Sequence, residues 1–373
     1  MKRHHITAII VGCAAIAMSI ISGGEFLAHR KPEIIVTGPG VTSVRKLSEW
    51  YPGLAGTHGD TDVYVFQGKE PGGSMLVLGG THPNEPSGLL SAVLLIENVR
   101  AARGTLYVIP RANNSGFTHN DPQEGAPASF SINTPDGRER TFRYGSRATN
   151  PLDQWPDPDV YIHASTGQHL SGNETRNLNR GYPGRTNGTF TEKVCYGITE
   201  LIRNENINLT IDLHEASPEY PVINAIVSHE RAMPLASGVV LGLEMQDILI
   251  GLEPSPKNLR GLTHRELGDA TETFAVLMET ANPAQGRLRG RTDEALVLEG
   301  KDPYYVKAQQ LGRLYVPFDE NGHPLEERVG RHLAGITEFA FALSMDYPEY
   351  EVELEGIPDY YELQERGIGS YLK

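Results

Sequence analysis

Cysteine is almost missing from this chain: of 373 residues only Cys13 and Cys195 carry a thiol, and Cys13 lies in an apolar N-terminal segment. A disulfide framework is thereby excluded. Clusters of Lys and Arg are missing as well, and 33 basic residues against 47 acidic ones leave a formal charge of −14. A field of that sign repels phosphate backbones, which excludes nucleic acid as a partner. Internal repeats and low-complexity tracts are lacking. What is present suits a globular chain with many turns: 39% hydrophobic residues, 40 glycines and 25 prolines, at a length that buries an adequate core without staples.

Only one long apolar run occurs. Lys2 and Arg3 precede residues 6–22 (ITAIIVGCAAIAMSIIS), which carry no charge before Gly23-Gly24-Glu25. A basic flank followed by such a stretch reads as an export signal or an N-terminal membrane anchor over residues 1–30, so the expected location is exported, periplasmic or extracellular. Ala15-Ile16-Ala17 fits a small-residue cleavage site, whereas the apolar run continues through Ile21 as in an uncleaved anchor; Ile10-Val11-Gly12-Cys13 resembles a lipoprotein box.

Along the remainder, residues 62–67 (DVYVFQ) and 74–78 (SMLVL) read as strands, 86–102 as a helix opened by Pro86, and 106–109 as the next strand. Strand, helix, strand at this spacing is a βαβ unit, whose right-handed crossovers build sheets covered on both faces. Helices are expected over 191–204, 235–251 and 326–344, and strands over 207–213, 222–227 and 273–278. Periodicity disappears over about 111–175, where Gly, Pro, Asn, Asp and Ser dominate, and a stretch of that length reads as a long insertion near the site. The expected organisation is one catalytic domain over 31–347 carrying this insertion, then an acidic, Tyr-rich tail at 348–373 packed on the surface. The fold class is α/β, with a mixed, largely parallel sheet and helices on both faces.

Three fragments at three strand ends carry chemistry. In Gly79-Gly80-Thr81-His82-Pro83-Asn84-Glu85-Pro86, His82 and Glu85 sit three apart on a turn between strand and helix, where an imidazole nitrogen and a carboxylate oxygen can face one point as metal ligands. The spacing recurs at His323-Pro324-Leu325-Glu326, but there it precedes a helix whose dipole accounts for Glu326. Asp212-Leu213-His214-Glu215 closes a second strand; His214 completes a His/Glu/His set with a position open for water, and Asp212 or Glu215 is placed to orient an imidazole. Met278-Glu279-Thr280 closes a third, and Glu279 beside such a site is suited to be a general base. Asn177-Leu178-Asn179-Arg180-Gly181-Tyr182-Pro183-Gly184 ends the insertion with an Arg fork and amides suited to a substrate carboxylate or a polarised carbonyl. No GxSxG elbow and no HExxH helix competes with this set.

In this order, HPNE, NLNRGYPG, DLHE and MET resemble the zinc carboxypeptidase clan, and within it the succinylglutamate desuccinylase/aspartoacylase branch. The resemblance covers about residues 76–280, with the 326–344 helix consistent with it. It implies a carboxypeptidase-like fold, one zinc ion (Zn2+) per chain on His82, Glu85 and His214, and Glu279 as the base. It also implies that Asn179 and Arg180 hold a substrate carboxylate. A further arginine polarises the scissile carbonyl in the family: Arg176 is nearest in sequence, with Arg147 and Arg111 as alternatives. Asn177 stands where the branch usually has Asp, and residues 281–373 are short for the β-rich domain that aspartoacylase-like members add. The implied activity is hydrolysis of an amide bond in an N-acyl amino acid or peptide, a deacylase-like reaction. An exported metallocarboxypeptidase acting on peptide or cell-wall fragments, or a metal-containing binding protein without turnover, are the alternatives. The expected partners are a small-molecule or peptide substrate bearing a carboxylate and, through residues 6–22, a membrane; the oligomeric state is left open.

Overall fold

A computed structural model describes residues 2–28, 31–121 and 125–373. In chain order the elements are α1 (Lys2–Ala28), β1 (Ser43–Lys46), β2 (Asp62–Gln67), β3 (Glu70–Leu78), α2 (Pro86–Asn98), β4 (Arg100–Ile109), β5 (Ser129–Asn133), β6 (Glu139–Arg143), β7 (Val160–Ile162) and β8 (His169–Ser171). There follow α3 (Phe190–Asn204), β9 (Leu209–Ala216), β10 (Ala225–Ser228), α4 (Met233–Glu244), β11 (Gly251–Pro254), α5 (Thr263–Ala270), β12 (Phe274–Ala281), α6 (Glu294–Glu299), α7 (Pro303–Gln310), α8 (Leu325–Asp346), β13 (Glu353–Glu355) and α9 (Tyr360–Arg366).

One mixed sheet runs in the order β1-β2-β4-β3-β9-β12-β10-β11, with β13 added to β4. Its centre, β4-β3-β9-β12, is parallel, and antiparallel pairs flank it on both sides. Strict alternation explains why both faces are covered. Met75 and Val77 of β3 join the cluster built by α2, α4 and α8, while Leu76 and Leu78 join the cluster containing α3 and Leu267 of α5. The α/β architecture with helices on both faces is thus as the sequence implied.

The helix α2 starts where Pro86 occupies the first turn, its missing N–H costing nothing there. Leu89, Leu90, Val93, Leu94 and Leu95 are all buried, and burial of each contributes about 1.5–3 kcal/mol. It ends at Asn98, four residues before the expected point, because Val99 turns extended and Arg100 already pairs with β13. Likewise α4 stops at Glu244, ahead of the positive φ of Asp247, and a turn leads to β11 at Gly251, where the expected helix would have ended.

Two regions differ from expectation. Residues 111–175 contain the hairpins β5-β6 and β7-β8, and Phe130, Phe142 and Tyr144 enter the core. The C-terminal tail is no surface appendage: β13 extends the sheet, and Leu363, Ile368 and Leu372 are buried with α2 and α8. Glu97, fully buried at the end of α2, ties these pieces together. It accepts from Arg140 Nη2 (2.8 Å), from the Val36 amide (3.1 Å) and from the Lys373 amide (2.6 Å). None of these partners is within helical reach of Glu97 in sequence, so periodicity does not signal them.

The helix α1 lies with its described side chains exposed, and its span from His4 to Ala28, with mean hydropathy 2.2, is long and apolar enough to cross a membrane. Cys195 is buried in α3, its Sγ donating to the Leu178 carbonyl at 3.3 Å.

Candidate metal centre and active site

The site forms at the C-terminal ends of β3, β9 and β12, on the α5 face of the sheet. After Leu78, Gly79-Gly80 turns the chain; Gly80 has φ +62, and a Cβ there would strike Phe117 at 2.7 Å. This turn carries His82 and Glu85 over the end of β9. There β9 continues three residues beyond the expected strand end, so that His214 lies within it and pairs in parallel register with Glu279 of β12. Paired residues of a parallel ladder share a face, which sets both side chains beside one another over the same ground.

His82, Glu85 and His214 converge, with their ligand atoms within 4.8 Å of one another and all three residues buried. Both Nδ1 atoms face the Glu85 carboxylate, His82 at 2.8 Å from Oε1 and His214 at 2.9 Å from Oε2, and they lie only 3.1 Å from each other. The far side of each ring is held by an oxygen. His82 Nε2 is 2.9 Å from Asn177 Oδ1, and His214 Nε2 is 2.8 Å from Asp212 Oδ2. The Asn177 amide is oriented by its own contacts, since Nδ2 donates to Glu174 and Oδ1 accepts from the Asn179 amide. Asp212 is fixed in turn by Thr81 Oγ1 (2.7 Å) and Thr263 Oγ1 (2.5 Å). Acceptors at both Nε2 atoms place the ring protons there and leave two Nδ1 lone pairs and a carboxylate pointing at one spot, a donor set that fits a divalent cation.

Binding of a cation would release the proton that Asp212 and Glu85 hold on His214. Burial and the charge of Arg147 lower His82 to about 4, against the pull of Glu85. For His214, burial is outweighed by Asp212 and Glu85, which raise it well above the ordinary histidine value. Glu85 is held well below the carboxylate range because the attraction of His82 and His214 outweighs its burial. Burial pushes Glu279 up to about 8; the charges of Glu85 and Asp212 add to this, and those of His214 and Arg147 oppose it. Its Oε2 is buried without a hydrogen-bond partner. A site that crowds three carboxylates, with one oxygen unpartnered, is short of positive charge.

A cavity of about 530 Å³ opens onto these residues and is also lined by Arg147, Asn179, Arg180, Tyr220 and Glu253. The Asn179 Oδ1 accepts from the Thr263 amide and hydroxyl, which leaves its Nδ2 for the cavity. The Arg180 guanidinium is mostly buried, bonds the Asn179 carbonyl at 2.6 Å and lies 3.5 Å from Glu174. Of the three arginines considered for the carbonyl, the nearest in sequence is not at the cavity. Arg176 is engaged by both oxygens of Asp157, at 2.7 and 2.9 Å, and by the Thr149 carbonyl. Arg111 stacks over Phe117 with Glu33 at 3.6 Å. Arg147 alone of the three lines the cavity, 3.6 Å from Glu85 Oε1.

Of the two acids that flank His214, one supports its ring, and further support comes from Arg328 and His332, which carry no motif. Asp212, not Glu215, orients the imidazole of His214, because Glu215 points to the opposite face and pairs with Arg328 of α8 at 2.7 Å. The other Glu215 oxygen accepts from the Ser87 amide and from Asn282 Nδ2, each at 3.1 Å. His332 reaches the His214 carbonyl at 3.1 Å.

No protein-family model matches this sequence, and no curated protein matches it. Solved structures do. A metallo-carboxypeptidase from Burkholderia cenocepacia is 11% identical, over 87% of this chain and 69% of its own, at TM-score 0.47. A succinylglutamate desuccinylase from a Silicibacter species is 15% identical over 61% of this chain at TM-score 0.37, and an aspartoacylase family protein from Mesorhizobium loti is 16% identical over 63% at 0.35. The chain is similar to each of these three structures at low identity. It spans 55% of the length of the desuccinylase and 64% of that of the aspartoacylase family protein.

Proposed function

We propose that this protein is a zinc-dependent amide hydrolase, acting on an N-acyl amino acid or peptide that bears a carboxylate. The observation that carries the reading is the placement of Glu279 in register with His214, beside the converged His82, Glu85 and His214, at the head of a cavity that also holds Asn179, Arg180 and Arg147. His82, Glu85 and His214 would hold one zinc ion, which would supply Lewis acidity and lower the pKa of water at the site to about 7.

The rest is done by the chain. Glu279, with an unpartnered carboxylate oxygen, takes the proton of the attacking water and returns it to the leaving amine. Arg147 stabilises the oxyanion, and Asn179 with Arg180 holds the substrate carboxylate, so the scissile carbonyl is fixed between clamp and base. Asn177 and Asp212 keep the two imidazoles in the ligating tautomer. The same clamp serves an acylated amino acid or the C-terminal residue of a peptide, so deacylase and carboxypeptidase action differ here only in what lies on the acyl side. We further propose that α1 anchors or exports the catalytic part, from residue 31 onward, which places it outside the cytoplasm.

The test is metal content of the detergent-solubilised full chain, together with hydrolysis of a panel of N-acyl amino acids and short peptides. About one zinc per chain is expected, reduced to near zero in both His82→Ala and His214→Ala, with release of amine lost in parallel. Metal retained by both variants would sink the assignment of ligands. The arginine assignment has its own check: Arg147→Ala is expected to lower kcat/KM by about 10²–10³-fold, the loss typical of one oxyanion donor. Arg176→Ala, whose partner is Asp157, is expected to change it far less; the reverse order would return the role to Arg176.

A further inference from the structure

Four acids line the cavity, and three have evident work. Glu85 faces both imidazoles, Glu215 is paired with Arg328, and Glu279 stands beside His214. The fourth, Glu253, is exposed on the edge strand β11 and has no partner among the described residues. Nearby acids are used differently, as Glu230 pairs with Lys257 at 2.9 Å and with Arg265 at 2.5 Å.

The register shows where Glu253 points. Ala225 of β10 pairs with Glu279 of β12 and with Gly251 of β11, so a row of small side chains runs outward from Glu279 and leaves a trough. The next row on the same face is Leu277, Val227, Glu253, two apolar side chains followed by a carboxylate. Two strand spacings and two residues separate Glu279 from Glu253, about 12 Å between Cα atoms. The opposite wall is the segment from Pro254 to Thr263, where Leu259 and Leu262 line the cavity and Thr263 holds Asn179 of the clamp. The trough therefore leads from clamp and base, over apolar ground, to a free carboxylate. Arg287, the remaining unassigned cation of the lining, enters with Gln285, which is bonded to Asn84 on the metal-ligand turn.

Resting on the amide-hydrolase reading, we propose that Glu253 reads the side chain of the residue whose carboxylate Asn179 and Arg180 hold, and selects residues in which an apolar stem ends in a cation. A lysine-like side chain matches both parts: its methylenes lie along Leu277 and Val227, and its ammonium meets Glu253. A stem of the same length without charge leaves the carboxylate solvated, and an acidic side chain is repelled.

The test uses the zinc-loaded full chain and three N-acetyl-glycyl substrates that differ only in the last residue: lysine, norleucine or glutamate. Wild-type kcat/KM is expected to favour lysine over norleucine by about tenfold, with glutamate poorest. In Glu253→Gln that ratio falls to about one, and in Glu253→Lys glutamate overtakes lysine. Equal turnover of the three by the wild type, a preference for glutamate, or a lysine preference that survives in Glu253→Gln overturns the assignment while the hydrolase reading stands. If the zinc-loaded chain turns over none of them and calorimetry finds no binding of the matching N-acetyl amino acids, both readings fall together.

Discussion

Glu279→Gln is expected to lower kcat by about 10³-fold while the zinc content stays near that of the wild type, because Glu279 is not among the three converging ligands. The substitution keeps size and hydrogen-bonding shape and removes only the basicity, so a loss confined to kcat identifies proton transfer rather than binding. It also separates an enzyme from a metal-containing binding protein without turnover, in which the same change alters nothing measurable. The pH dependence gives an independent reading. Burial, with the charges of Glu85 and Asp212, pushes Glu279 up to about 8 when no cation is near. A base must be ionised to act, and a dication on the adjacent ligands stabilises the ionised form. Activity of the zinc-loaded enzyme should therefore rise with pH through a value below 8 and hold above it, and this acid limb should be missing from the residual activity of Glu279→Gln. A full acid limb retained by Glu279→Gln would move the base to another group.

The second large effect concerns stability. Arg328 and Glu215 are both almost wholly buried, joined at 2.7 Å beneath the floor of the site. Arg328→Met preserves much of the volume but strands a buried carboxylate, which costs about 3–5 kcal/mol. Burial already raises Glu215 despite its arginine, and removing Arg328 takes away the attraction that opposes this rise. Urea unfolding should show the midpoint fall at unchanged slope. Adding Glu215→Gln should recover much of the loss, because no charge then remains buried. A single variant as stable as wild type would mean that water reaches Glu215. Since Glu215 also holds the amide of Ser87 at the start of α2, Arg328→Met is expected to weaken zinc retention too, though less than either histidine variant.

Much of the site could be read before any fold was known, for a simple reason. His82 and Glu85 are three residues apart on one turn, and His214 and Glu279 each end an apolar run, so local spacing and strand periodicity carry the signal. The remaining parts are distant in sequence. Thr263 bonds Asp212 across 51 residues, and Arg328 reaches Glu215 across 113. No local pattern marks such pairs. The arginine choice shows the same limit from the other side. Proximity to Asn179 favours Arg176, yet Asp157 occupies that guanidinium, whereas Arg147 reaches the cavity from the middle of the irregular region. In the tail, acidity and tyrosines suggest a solvated surface, but Leu363, Ile368 and Leu372 are buried because the open flank of β4 and the end of α2 needed covering.

By itself the sequence determined the α/β class, the apolar N-terminal helix, the exclusion of disulfide scaffolds, and three strand ends bearing His82, Glu85, His214 and Glu279. These follow from composition and from periods of two and 3.6 residues, which are local properties of a chain. Only the tertiary structure decided that Glu279 stands in register with His214, that Asp212 rather than Glu215 orients an imidazole, that Arg147 rather than Arg176 faces the cavity, and that Glu253 closes its far end. Strand order and register settle these points, and both are set by packing the whole sheet between its helices, a condition no short stretch of sequence contains.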